Sequence, residues 1–297
     1  MEFGEYAALA AAALWAFSSL LYTRVSLTAW QINTVKTVVA SIVLAVQLFI
    51  VSQIEGTQFL NAPGWSWGWL AFSGLIGLVA GDTCYFRCLQ ILGVRRCLTI
   101  TVTAPIFTAI LGWAFLDEIL APVAISGVFV TVIGVAMVIN DRTTKEDEPG
   151  LYPGSVGAGV MFGIGAAVCQ AVGAVAAKHA MTQCDPLEAT FGRLAPAAIV
   201  CIAIMAFRGQ FTKTIKESLR KDVLKRLFPA VVCGAWLGVW LSQIAFKQID
   251  AASAQTLLST SPLFIIGLTW ALSGKPPSKQ VVIGAAVAVA GVTMIIR

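Results

Sequence analysis

The sequence predicts an all-α membrane protein, ten transmembrane helices arranged as two inverted five-helix repeats. Three observations carry this expectation. Of 297 residues, 58% are apolar and only 12% charged, against about 25% charged in a soluble domain. The mean hydropathy of +0.84 is more than one water-soluble core of this size accounts for, since a soluble fold must still wet a polar surface. Apolar runs of spanning length recur along the chain, and the second half repeats the first. The same composition excludes a disordered, collagen-like or nucleic-acid-binding chain.

A spanning helix needs roughly 20 apolar residues. Ten runs qualify, at about 4–24, 30–52, 66–91, 94–116, 120–139, 154–180, 186–206, 227–248, 250–272 and 277–296. No basic segment precedes the first, so it is expected to be a retained span and not a cleaved signal. Turn signals separate the runs: Asn61 to Gly64, Asp117-Glu118 with Pro122, Cys184-Asp185-Pro186, and Gly274 to Pro277. The polar stretch 141–153 falls near the midpoint and reads as a linker between a first unit, 1–140, and a second, 154–297. The other long connection, Arg208 to Arg226, reads as a basic amphipathic surface helix lying on anionic headgroups.

The repeat is legible without gaps. Thr103-Ala-Pro-Ile-Phe107 resembles Thr260-Ser-Pro-Leu-Phe264, and the same 157-residue offset pairs Gly77 with Gly234, Gly81 with Gly238, Trp113 with Trp270, Gly134 with Gly291, Met137 with Met294 and Lys36 with Arg193. Shared Gly and Ala arise by chance in apolar sequences; matched Pro, Trp and Met in one register do not. An odd number of spans per unit inverts the second unit in the membrane, an architecture that favours transport around a midplane site. There is no GxxxxGK[ST] motif for nucleotide-driven pumping by this chain.

This arrangement resembles the drug/metabolite transporter (DMT) superfamily, EamA-like family. The likeness rests on 5 + 5 spans, a small-residue-rich opening span, a basic residue early in each second span, Pro-Ile-Phe or Pro-Leu-Phe in each fourth, and Gly-rich fifth spans. The resemblance covers essentially the whole chain, and its motifs are loose. It implies a secondary carrier of amino acids, nucleosides, sugars, drugs or other metabolites, often an exporter, with a central cavity lined by spans 1–4 and 6–9. It also implies a multi-pass protein of the cytoplasmic (inner or plasma) membrane.

Ionisable residues within spans are functional candidates because hydrocarbon penalises them by several kcal/mol. Asp82 is the one acidic residue near the middle of a span, fit for a coupling proton or a cationic solute or for a structural polar contact; Arg87, five residues on, is poorly placed to pair with it. Lys36 and Arg193 suit gating or structural roles or snorkelling, with Glu188 a candidate partner for Arg193. In span 8, Trp236, Trp240, Gln243 and Lys247 share one helical face, as a solute wall or as an aromatic belt. Trp15, Ser19 and Tyr22 of span 1, Tyr85 of span 3, Gln170 and Lys178 of span 6, and Gln255 of span 9 complete the expected cavity set. Pro105 and Pro262 sit in mid-span, as hinges or static kinks.

The seven cysteines show no CxxC, and with one histidine, His179, no metal and no cofactor are expected. The expected partners are a small-molecule solute, membrane lipids and a proton as coupling ion, with no nucleic acid, in a monomer or homodimer. Loop charges are lopsided: fourteen Lys and Arg on the face carrying Arg24, Arg95, Arg96 and 208–226, three on the other. By the positive-inside rule both termini lie outside, whereas the resemblance implies termini inside; the charge excess is the heavier argument. The rival readings are a lipid or lipid-linked precursor flippase and a non-transporting receptor or structural protein. An intramembrane enzyme is disfavoured because the spans hold no His/Glu cluster, HExxH, GxSxG or Asp pair.

Overall fold

The computed structural model describes residues 2–22, 24–56, 60–139, 155–273 and 276–295, and every regular element among them is helical. The linker 141–153 and the loop cations Arg142, Lys145, Lys275 and Arg297 lie outside the described residues. Seven helical stretches are long and apolar enough to cross a membrane, and three shorter apolar helices, Ala104–Leu116, Pro122–Val138 and Lys279–Ile295, accompany them. Large apolar side chains face outward, among them Ile42, Phe49, Phe115, Ile199 and Phe207. That surface suits lipid as its solvent.

The first unit runs α1 (Phe3–Tyr22), α2 (Ala29–Glu55), α3 (Gly64–Gly74), a π-helical segment (Leu75–Gly81), α4 (Asp82–Thr101), α5 (Ala104–Leu116) and α6 (Pro122–Ile139). Local chemistry sets the ends. Thr28 and Gln31 close a capping box at the start of α2, and Gly56 ends it in the left-handed region at φ 65. The stretch α4 is not one straight helix: Cys97 Sγ donates to Tyr85 O at 3.5 Å, whereas twelve residues of straight helix would part them by about 18 Å, so its two ends fold back on each other. The second unit comprises α7 (Val156–Ala180), α8 (Pro186–Phe207), α9 (Phe211–Ser218), α10 (Lys221–Ala230), a second π-helical segment (Val231–Gly238), α11 (Val239–Gln248), α12 (Ala251–Leu258), α13 (Ser261–Ser273) and α14 (Lys279–Ile295).

Three expectations are corrected. The single surface helix over 208–226 is two helices: the chain is extended at Arg220, whose guanidinium pairs with Asp222 at 3.0 Å, and α10 then continues straight into the membrane-spanning stretch. Pro105 and Pro262 do not bend a continuous helix. Each lies in the first turn of a new helix, α5 or α13, where a missing N–H costs nothing. Finally, Glu188 does not pair with Arg193; it caps the loop before α3, accepting from Asn61 N at 2.5 Å and Ala62 N at 3.3 Å.

Two features recur at the 157-residue offset. The π-helical segments occupy matching positions, and each releases a carbonyl to a neighbouring helix. Asn33 Nδ2 donates to Leu78 O at 2.8 Å, and Trp15 Nε1 donates to Gly234 O at 3.1 Å. Withdrawing a carbonyl from the i→i−4 ladder is what a π turn accommodates. Second, α6 and α14 pack through glycines. Gly127 abuts Gly291 and Gly134 abuts Gly284, with Thr131 and Ala288 filling the same contact. Rising numbers on one helix meet falling numbers on the other, so these helices run antiparallel. Their backbones approach so closely that a methyl group at either Gly134 or Gly291 would overlap the partner helix.

Candidate functional site

A cavity of about 220 Å³ lies at the centre of the helices, walled from both units. Residues at the 157-residue offset face it in pairs: Lys36 and Arg193, Leu78 and Ala235, Asp82 and Val239, Tyr85 and Ser242, Val102 and Ser259. The first π-helical segment sets Asp82 at its end, where the Asp82 N–H bonds Gly77 O. Gly81 lets the chain pass Cys169 of α7 closely. The carboxylate lies in an ion pair with Lys36 Nζ from α2, and its other oxygen accepts from Gln170 Nε2 of α7 at 3.1 Å. Three helices therefore converge on one acidic group. Lys36 also stands 5.4 Å from the Phe86 ring centroid.

Arg193 is placed by close packing. Gly74 lies against the Arg193 backbone with no room for a Cβ, and a Cβ on Gly77 would sit 3.2 Å from Arg193 Nη2. The side chain is buried, lines the cavity, and leaves Nε without a hydrogen-bond partner. Tyr22 Oη, in the same wall, is likewise buried and unpartnered. Trp15, Ser19 and Gln255 line the cavity as well, and Pro262 reaches it at the start of α13.

The remaining candidates sit elsewhere. Cavity-facing positions of α11 are Val239, Ser242 and Phe246; the Trp236, Trp240, Gln243, Lys247 stripe lies about a quarter-turn around the helix. Trp236 Nε1 donates to Gln47 Oε1 at 2.7 Å, and Trp240 packs into the apolar cluster around Leu194 and Leu227. Gln243 is fully buried, donating to Ser242 Oγ at 3.1 Å, and Lys247 Nζ donates to Cys184 O at 2.7 Å. Lys178 belongs to a polar knot at one end of the helices. Its Nζ meets Glu118 Oε1 and Ile249 O, each at 2.5 Å, while Glu118 Oε2 accepts from Ala251 N at 2.9 Å. Pro105 does not reach the cavity wall. Asn33, which ties α2 to the π-helical segment beside Asp82, was not anticipated; an amide one turn before Lys36 was the available signal. Among the described residues no cluster of His, Cys, Asp and Glu could hold a metal ion.

Apolar helices of spanning length around a buried polar cavity with charged residues in its wall define an integral, multi-pass membrane protein built to handle a solute. The sequence matches the EamA-like transporter family over residues 2–140 and again over 157–297, and the chain belongs to that family. A search of the curated proteins returns no match. A solved structure described only as the crystal structure of a protein is similar in fold, with a TM-score of 0.75 at 15% identity, covering 98% of this chain and 95% of that one.

Proposed function

We propose that the chain is a secondary active or facilitative carrier of a small organic solute, working by alternating access between two inverted five-helix units of ten crossings in all. The single observation that carries this reading is the central cavity, faced by residues paired at the 157-residue offset. Two units that contribute the same positions to one cavity can exchange conformations around it. The antiparallel packing of α6 on α14 supports inversion, since corresponding helices of a parallel repeat would run the same way. The reversal within α4 supports ten crossings, because it divides one stretch into two.

In this reading the halves are 1–140 and 154–297, joined by 141–153. Trp15, Ser19, Tyr22, Tyr85, Gln170 and Gln255 form the wall against the solute, and Asp82 is the group able to carry a coupling proton. The Glu118, Lys178 and Ile249 knot closes one end of the cavity. The carrier resides in the cytoplasmic membrane, with both termini outside by the charge count. The test is flux: purified protein in liposomes is loaded with a panel of amino acids, nucleosides, amines and carboxylates. Saturable exchange above protein-free liposomes is expected for at least one class. Folded protein that moves none of them overturns the reading.

A further inference from the structure

The cavity wall carries three charged side chains, Lys36, Asp82 and Arg193. Lys36 and Asp82 compensate each other, and the second oxygen of Asp82 is taken by Gln170. Asp82 is thus the carboxylate whose field reaches Arg193, yet it is already bound on both oxygens. Arg193, 4% exposed, has no ion-pair or hydrogen-bond partner among the described residues, and Nε is a buried donor without an acceptor. A buried guanidinium in that state is costly unless an anion meets it. The second unpartnered donor, Tyr22 Oη, lines the same cavity. Both orphaned groups can donate hydrogen bonds, and the cavity bears one net positive charge.

Arginine presents a planar fork suited to a carboxylate. The rest of the wall sets aromatic and apolar side chains, Trp15, Tyr85 and Phe86 among them, beside neutral hydroxyl and amide groups such as Ser19, Gln170 and Gln255, and adds no further charge. A cavity of about 150 Å³ admits benzene, so about 220 Å³ suits a solute somewhat larger. We infer that the cavity selects a small monocarboxylate with an apolar or aromatic body, its carboxylate held by Arg193 and Tyr22 and its body against the aromatic wall. A zwitterion leaves the excess positive charge uncancelled, and an amine adds to it. This inference rests on the cavity being the solute site.

The test compares phenylacetate with phenylacetamide and phenethylamine, which share a body and differ in charge, as stabilisers of the full-length protein in detergent. Phenylacetate raises the melting temperature saturably, while the amide and amine do so at least tenfold more weakly. Arg193→Gln lowers apparent carboxylate affinity by about tenfold or more, the loss expected for a desolvated charge-assisted contact; Arg193→Lys loses less. Should Arg193→Gln not fold, Tyr22→Phe, which removes one donor and keeps the ring, weakens phenylacetate several-fold and leaves phenylacetamide unchanged. Equal or better stabilisation by the amide or amine, no response to phenylacetate at 50 mM (about the top of a practical titration), or unchanged carboxylate affinity in Tyr22→Phe or Arg193→Gln overturns the inference. Flux of neutral or cationic solutes without a carboxylate response would refute carboxylate selection and leave the carrier standing. Carboxylate binding without any flux would do the reverse.

Discussion

Asp82→Asn preserves shape while removing the charge that holds Lys36, in a cavity already occupied by the Arg193 guanidinium. The two paired side chains are 11% and 13% exposed. Breaking a buried ion pair from one side costs about 3–5 kcal/mol, and access to the cavity puts this pair at the lower end, about 3 kcal/mol. Lys36→Met strands the carboxylate instead, but Gln170 still donates to it, so about 2 kcal/mol is expected. The double variant removes both charges, and its cost falls to about 2 kcal/mol because neither ion is left alone. The cycle therefore closes with a coupling of about 3 kcal/mol, the upper end for contacting residues. Equilibrium unfolding in mixed micelles, read by tryptophan fluorescence, measures all four corners. Strictly additive losses, with coupling below about 0.5 kcal/mol, would refute the claim that each charge depends on the other.

Gly291→Ala should destabilise by about 1–3 kcal/mol despite its gain in helix propensity, because the new Cβ collides with Thr131 of α6; Gly267→Ala, with nothing within 4 Å, should not, and thermal unfolding of the pair checks the sign. Glu118→Gln should loosen the knot at Lys178 and Ala251, raising labelling of a cysteine placed at the cavity residue Ala174 by an impermeant thiol reagent. Thr28→Ala should cost about 1 kcal/mol by opening the capping box of α2. Cys184 is buried, and burial followed by the nearby Glu188 carboxylate pushes its thiol up to about 11. At pH 8 roughly one thiol in a thousand is then ionised, so maleimide mass labelling should leave Cys184 unmodified, with reactivity appearing only as the pH approaches 11.

Hydropathy and the ungapped repeat made the helical class and the two-unit layout readable, because both are averages over many residues. Individual contacts were not. The Trp236 to Lys247 stripe obeys helical spacing, but spacing defines a face without saying what that face meets; neighbouring helices turned it towards Gln47, Leu194 and Leu227. The π-helical segments were marked only by Gly77 and Gly81 and their counterparts Gly234 and Gly238. Glycines permit close approach without specifying which carbonyl a Trp15 or Asn33 on another helix will take. Lys36, Asp82 and Arg193 were identifiable because charge in hydrocarbon is conspicuous. Which two of the three would pair depended on helix placement.

The walls of the cavity match in position and differ in chemistry: aspartate faces valine across the repeat, and tyrosine faces serine. Under alternating access, the two end states would share an architecture without being mirror images in energy. A solute would meet unequal dissociation constants on the two sides of the membrane. For an uncoupled carrier this changes the half-saturation and turnover in each direction while leaving the final concentration ratio at unity, since unequal binding is offset by an unequal resting population of the empty states. Only a second, coupled ion can turn that asymmetry into accumulation.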